Sequence, residues 1–193
     1  MHLIPPNARL FSSGYLSMPA VAEPVIACNA VPANQALLAA SVAAVESAFT
    51  MCNITTRCVG VSSVPVREQG MITGMIGVHG KVSGFVTVNM NQRVAIRAVG
   101  GLLDEHFTEL NSQIIDGTGE ITNIIVGGIK SALAGTKWAF SQVTVPSVIV
   151  GSGYSIAYAR GLEFLNVTFE HDDKDAVLLE DRLIQVSVSL LTL

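Results

Sequence analysis

The sequence predicts an α+β fold in which helices cover one face of an antiparallel sheet. Apolar residues recur at helical spacing in three segments and alternate with small or polar residues in six others. The helical and alternating segments follow one another in the order α, β, β, β, α, then α, β, β, β. We therefore expect two αβββ halves, a weak internal duplication without a clear residue-level repeat.

Composition limits the classes of partner. The chain has 193 residues, of which 50% are hydrophobic and 13% charged, so one domain with a sizeable core is expected. This high apolar content suggests a surface buried either between copies of the chain, as in a homodimer, or against a partner. A net charge of −4 without a Lys/Arg cluster argues against nucleic acid and anionic membranes, and the apolar runs are too short for a membrane span.

The N-terminal segment differs from the rest of the chain. Five of the seven prolines fall within residues 1–32, which predicts a proline-rich arm ahead of a single domain over residues 33–193. The three cysteines, Cys28, Cys52 and Cys58, lack metal-site spacing and cannot all pair with one another. A reducing, cytoplasmic environment is the simplest interpretation.

The first half contains one helix and three strands. Alanine and leucine at helical spacing predict a helix from Ala33 to Met51. The period then changes to two, which predicts strands over Thr56 to Val66, Gly70 to His79 and Lys81 to Met90.

Two helices and three strands complete the chain. A helix is predicted over Asn91 to Leu103, with Asn89 or Asn91 as its N-cap. A longer one is predicted from Asn111 to Ala134, closed by Gly135. The remaining alternating segments predict strands over Gln142 to Val150, Leu162 to Glu170, and Arg182 to Leu191.

The longer helix contains the segment DGTGEITNIIVGG, Asp116 to Gly128, whose four glycines each cost roughly 0.5–1 kcal/mol relative to alanine. At about 100° per residue, the polar residues of the whole predicted helix share one face and its apolar residues share the other. The polar face consists of Gln113, Asp116, Glu120, Asn123, Gly127 and Ser131, and the apolar face of Ile114, Ile115, Ile121, Ile125, Val126, Ile129 and Leu133.

Glu120 and Asn123 are the candidate functional pair. Residues three apart on a helix have Cβ atoms about 5–6 Å from each other, so both side chains can reach one site on a partner. We expect the glycines on its flanks to leave this pair unscreened; these are Gly117, Gly119, Gly127 and Gly128. The alternative is a solvated helix face with glycines that allow tight helix packing.

The sequence around this pair resembles a known family. Phe107-Thr108-Glu109-Leu110, Gly119-Glu120-Ile121-Thr122-Asn123 and Ser131-Ala132-Leu133 resemble the signature helix of the CheC/CheX/FliY chemotaxis phosphatases. The resemblance covers roughly Ala36 to Leu191, including Val145 to Gly151. It implies a duplicated αβββ domain that removes the phosphoryl group from the aspartyl phosphate of the response regulator CheY.

The resemblance also assigns roles to residues. The family's motif glutamate and asparagine correspond to Glu120 and Asn123, which are expected to be catalytic. CheC-like members carry a second such pair in their first helix, and the matching stretch here is expected at Glu46-Ser47-Ala48-Phe49, where Phe49 replaces the asparagine. A single site is more similar to CheX, whose members act as dimers.

The expected division of labour follows from phosphoryl chemistry. Asn123 would position a water molecule, because a carboxamide can both accept and donate hydrogen bonds without ionising. Glu120 would pair with a lysine of the regulator, which itself carries Mg²⁺, so no cofactor is expected in this chain. Gly119 and Gly127 are expected to border the partner, and Asp116 either joins them or is simply solvated.

Other interpretations stay open at this point. The domain could be a non-catalytic module that docks on a receiver domain, a flagellar switch component or a CheD-like partner, or it could be a homodimeric structural protein. His79, His106 and His171 are expected to face solvent, and Glu170 to Asp175 to form a solvated loop. No metal site is expected.

Overall fold

The computed structural model describes residues 35–64, 70–152, 154, 156 and 161–192. The predicted arm over residues 1–32, the first two residues of the predicted first helix and the end of the predicted first strand lie outside the described residues. The predicted domain organisation therefore stays a prediction.

Three helices, seven strands and one short 3-10 helix are described. The helices are α1 (Gln35–Met51), α2 (Gln92–Leu103) and α3 (Ser112–Ala132), and the 3-10 helix is Leu179–Arg182. The strands are β1 (Thr56–Ser62), β2 (Ile72–Gly80), β3 (Val82–Met90), β4 (Phe140–Val143), β5 (Ser147–Val150), β6 (Glu163–His171) and β7 (Leu183–Thr192).

The strands form one antiparallel sheet. Its order is β1-β6-β7-β3-β2-β4, and β5 also pairs with β2. Exchanging β1 with β4, β6 with β2 and β7 with β3 gives the same order in reverse, as expected for two αβββ halves that join through β3 and β7. The predicted α+β fold with an antiparallel sheet is confirmed.

The core lies between the helices and one face of this sheet. Alternate residues of the central strands, such as Val86 and Val88 of β3, are completely buried. Ile121, Ile125 and Ile129 of α3 are equally buried. Burial of each such side chain contributes about 1.5–3 kcal/mol, which explains why α3 is held firmly on the sheet.

The helix ends follow the predicted capping. The side chain of Asn91 accepts a hydrogen bond from the Gln92 N–H at 2.9 Å and caps α2, whereas Asn89 is buried and bonds Gly70 and Thr73. The side chain of Asn111 accepts from the Ile114 N–H at 3.0 Å and caps α3. Gly135, with φ +80°, follows the other end of α3, as predicted.

The predicted strand from Gln142 to Val150 is instead two short strands. Pro146 has no N–H to donate to a ladder, and Thr144 departs from the strand to bond Gly77 of β2 with both its backbone and its side chain. The chain therefore breaks between β4 and β5 into a short connection, Thr144 to Pro146.

Candidate functional site

The motif helix α3 packs closely against three other elements. Gly117 faces α2, since a Cβ there would lie 2.5 Å from Val99 Cγ1. Gly128 faces α1, since a Cβ there would lie 2.9 Å from Ala44 Cβ. These approaches fix both the position and the rotation of the helix.

The contact of α3 with the sheet depends on a third glycine. A Cβ at Gly74 of β2 would overlap the hydroxyl of Thr122. Thr122 lies one residue before Asn123 and is completely buried, and its hydroxyl donates to the Thr118 carbonyl at 2.8 Å. A polar side chain is thus accommodated against the sheet, and Asn123, about 100° further round the helix, lies on the exposed side.

The outer face of α3 matches the sequence prediction. Glu120 and Asn123 are both exposed, and so are Asp116 and Gly127. Within the part of the chain that the structure describes, the side chains of Glu120 and Asn123 make no hydrogen bond and no ion pair. Two polar heads are therefore presented by a rigid helix without any internal partner.

The expected role of the glycines is mostly wrong. Gly117 and Gly128 allow helices to pack closely, and Gly119 is buried, with an added Cβ 3.5 Å from both Pro146 and Val148. Only Gly127 has nothing within 4 Å and leaves open space beside the pair. The alternative interpretation, tight helix packing, therefore describes Gly117 and Gly128, whereas Gly119 is covered by Pro146 and Val148 at ordinary contact distance.

The same result changes the expected contact surface. Gly119 cannot border a partner directly, because the β4–β5 connection covers it. Asp116 and Gly127 stay accessible one turn before Glu120 and one turn after Asn123. A role for these two residues in partner binding stays a prediction.

The stretch matched to a second motif in the first helix is not a comparable surface. Glu46 is exposed, but Phe49 is completely buried in the core. The burial patterns of α1 and α3 instead agree at most positions when Leu37, Val45 and Phe49 are aligned with Ile121, Ile129 and Leu133. In that alignment, Ala36 and Ala39 occupy the positions of Glu120 and Asn123, so α1 carries neither functional group.

A second polar cluster lies where α2 meets the β6–β7 connection. Asp173 is 4% exposed, and it accepts a hydrogen bond from Arg93 Nε at 2.7 Å. Arg97 Nη1 is 3.5 Å from the other carboxylate oxygen of Asp173. The Arg93 guanidinium holds the pKa of Asp173 at about 2.

His171 belongs to this cluster and contradicts the expectation for it. The side chain is 2% exposed and its Nε2 is 3.3 Å from the Asp181 carbonyl oxygen, whereas His79 and His106 are exposed as predicted. Burial lowers the pKa of His171, since an imidazolium would lose its hydration there. The predicted solvated loop from Glu170 to Asp175 is thus partly wrong, because β6 extends to His171 and Asp173 pairs inside the protein.

One exposed side chain beside the motif helix is not anticipated by the sequence analysis. Val145 lies in the β4–β5 connection and is 82% exposed. The sequence shows an apolar residue in an apparent strand, and only the following Pro146 hints at a break. The contact of Pro146 with Gly119 places this connection next to α3.

Neither a membrane-spanning helix nor a multi-residue metal-binding group occurs among the described residues. Over those residues no helix combines the length and apolar character needed to cross a membrane. The same part of the chain contains no group of three or more His, Cys, Asp or Glu side chains arranged to hold a metal ion.

Comparison with known proteins identifies a matching family. The family model described as chemotaxis phosphatase CheX matches residues 72–170, just over half of the chain, and this match includes all of α3. A comparison with curated proteins finds no match.

Solved structures share the fold over most of their length. A putative chemotaxis protein from Desulfovibrio vulgaris Hildenborough has a TM-score of 0.67 at 24% identity, covering 80% of this chain and 96% of its own. The chemotaxis protein CheX from Vibrio vulnificus has a TM-score of 0.64 at 21% identity, covering 81% and 97%. A CheX-CheY-BeF3-Mg²⁺ complex from Borrelia burgdorferi has a TM-score of 0.63 at 20% identity, covering 81% and 96%.

Proposed function

This chain belongs to the chemotaxis phosphatase CheX family, and from that premise we propose that it hydrolyses the aspartyl phosphate of a CheY-like response regulator. Glu120 and Asn123 are the residues to which we assign the reaction. The observation that carries this assignment is their joint exposure, without an internal partner, on a helix whose other sides are closely packed.

The reaction requires positioning more than covalent chemistry. A water oxygen forms a bond to phosphorus while the bond to the aspartyl oxygen breaks, which releases inorganic phosphate and restores the carboxylate. Such phosphoryl transfers depend on alignment of the attacking group and on electrostatic stabilisation. A rigid helix that projects two polar groups is suited to this task.

Asn123 would hold the attacking water. Its amide oxygen can accept a hydrogen bond from the water and so direct a lone pair of the water oxygen towards phosphorus. The buried Thr122 next to it, packed against Gly74, prevents the helix from rotating or rising off the sheet. Loss of a group that positions the nucleophile typically costs about 10²-fold or more in rate.

Glu120 would bind rather than react. A carboxylate close to a phosphoryl group would repel it, so Glu120 is better placed against a cation of the partner, for which a lysine beside the phosphoaspartate is the best candidate. The Mg²⁺ required for the reaction would be held by the receiver domain. The Borrelia complex, which contains CheX, CheY, BeF3 and Mg²⁺, is consistent with such an arrangement.

The setting of this activity follows from the substrate. CheY-like receivers work in the cytoplasm, where we place this chain as well. We also propose that the active form is a homodimer, on the basis of its high apolar content and family membership.

The test is the decay of phosphorylated receivers. Single-domain receivers from the same genome would be phosphorylated with acetyl phosphate, freed of excess donor and mixed with wild type, Asn123→Ala or Gln113→Ala. Gln113 is an exposed amide on the same helix face, so its variant controls for the loss of a surface carboxamide. We expect wild type and Gln113→Ala to accelerate decay equally, and Asn123→Ala to be slower by about 100-fold.

Two results would contradict the proposal in different ways. If wild type binds a receiver without accelerating its decay, the domain is the non-catalytic docking module. If Asn123→Ala is as active as wild type, catalysis occurs but the role assigned to Asn123 is wrong.

A further inference from the structure

The β4–β5 connection, Thr144 to Pro146, is fixed at both ends. The Thr144 N–H donates to the Gly77 carbonyl at 2.9 Å, and the Gly77 N–H donates to Thr144 Oγ1 at 2.9 Å. The same hydroxyl donates to the Val145 carbonyl at 3.1 Å. At the other end, Pro146 packs on Gly119 of α3. The backbone on each side of Val145 is therefore anchored.

This connection lies on the flank of α3 that is nearer to Asn123 than to Glu120, because it covers Gly119. Gly119 and Asn123 are four residues apart on α3, so they occupy the same helix face one turn apart. The segment that covers Gly119 consequently borders the Asn123 side of the pair. On the opposite flank, Gly128 faces α1.

Val145 is exposed despite these anchors. Its side chain is 82% exposed, and Val143 and Val150 on the adjoining strands are 40% and 44% exposed. A β-branched side chain has few rotamers, and a fixed backbone removes most of its remaining freedom. Contact with a partner would thus cost little ordering entropy, because the side chain and its backbone are already restricted before binding.

We propose that Val145 is a specificity-determining contact for the receiver domain. This inference rests on the proposed function, because its partner is the protein that Glu120 and Asn123 engage. Glu120 supplies the charged contact, Asn123 reaches the phosphoryl group, and Val145 contacts an apolar side chain at the rim of the receiver's phosphorylation pocket. Receivers with a charged side chain at that rim position are poor substrates.

The experiment compares two highly exposed valines. Val145→Asp is the test variant and Val177→Asp the control, because Val177 is 93% exposed on the β6–β7 connection, separated from β5 by β3 and β2. Two measurements are made for each protein. The first gives KM and kcat with a receiver that acetyl phosphate has phosphorylated, and the second gives Kd for the same receiver loaded with BeF3⁻ and Mg²⁺. Sedimentation gives the mass of each variant.

We expect Val145→Asp to raise KM and Kd by about 10-fold while kcat changes less than twofold, and Val177→Asp to match wild type. Unchanged KM and Kd, or an equal effect of both variants, would overturn the inference. A change in mass for Val145→Asp alone would also overturn it, because Val145 would then lie between copies of this chain.

The binding measurement separates this inference from the proposed function. If wild type has no phosphatase activity but Val145→Asp weakens receiver binding, the contact stands and catalysis does not. If wild type neither binds nor dephosphorylates any receiver tested, both are wrong.

Discussion

Two polar clusters in this protein differ in what their side chains bind. On α3, Glu120 and Asn123 are exposed and have no internal partner among the described residues. Between α2 and the β6–β7 connection, Asp173 is buried and bonded to Arg93, and His171 is buried beside it. Paired, buried groups hold elements of the fold together, whereas unpaired groups on a rigid support are available to another molecule.

The comparison makes opposite predictions for the two clusters. Substitutions of Glu120 or Asn123 should change activity and leave stability unaltered. Substitutions in the buried cluster should change stability and leave the activity of folded molecules unaltered.

The largest expected effect is on the motif face. Glu120→Lys should raise KM for the phosphorylated receiver by about 100-fold, because the new cation would repel the lysine that we assign to the receiver. Glu120→Gln, which removes the charge and keeps the size, should raise it less. Thermal unfolding should be unchanged in both variants, and a loss of stability would mean that Glu120 belongs to the fold instead of the site.

A smaller effect is expected in the buried cluster. Asp173→Asn should lower the free energy of unfolding by about 2 kcal/mol, since it leaves Arg93 without its charged acceptor. Asp172→Asn is the matched control, because Asp172 makes a long and exposed ion pair. Its side chain is 56% exposed, and its Oδ1 is 3.8 Å from Arg97 Nη2. Denaturant unfolding would measure both variants, and equal losses would contradict a special role for the buried carboxylate.

The glycines of α3 allow a comparison within one helix. Gly117→Ala should destabilise the protein by about 1–3 kcal/mol, because its Cβ would overlap Val99. Gly127→Ala has open space and should instead stabilise it by about 0.5–1 kcal/mol. If Gly127 keeps the helix clear for a partner, the stabilised variant should also bind the receiver more weakly, which the Kd would reveal.

At neutral pH, the smallest effect on the free energy of unfolding is expected for substitution of His171. Burial lowers its pKa from the ordinary value of 6.5, so the unfolded chain binds a proton at a pH where the folded protein does not. The stability that depends on neutral His171 is complete above pH 6.5 and is lost as the pH falls through the folded-state pKa. His171→Gln should flatten the fall in unfolding free energy below pH 6.5, and an unaltered pH profile would show that another group causes the fall.

Much of the fold follows from local sequence patterns. Helical and alternating periodicities place the three helices and most strands within a few residues, and Asn91 and Asn111 mark two helix starts because their side chains cap the first turn. The strand from Gln142 to Val150 was misjudged because its apolar pattern continues through Thr144 to Pro146. The bonds between Thr144 and Gly77 that break the strand join residues far apart in the chain.

The candidate site was predicted in part. Helical geometry alone puts Glu120 and Asn123 on one exposed face. It does not show what lies opposite each glycine, so Gly117, Gly119 and Gly128 were assigned to a surface that other elements cover. The buried position of His171 was missed for the same reason, because the residues that cover its side chain are distant in sequence.

The sequence by itself determined the periodic elements, the polar stripe of α3 and the resemblance that led to the CheX family, because each depends on spacing along the chain. Only the tertiary structure decided which glycines are packed, that Asp173 and His171 lie inside, and that Val145 is exposed on the connection that packs on α3. Those properties depend on which elements meet in space, and a pattern along one segment does not contain the surface of the segment that packs against it.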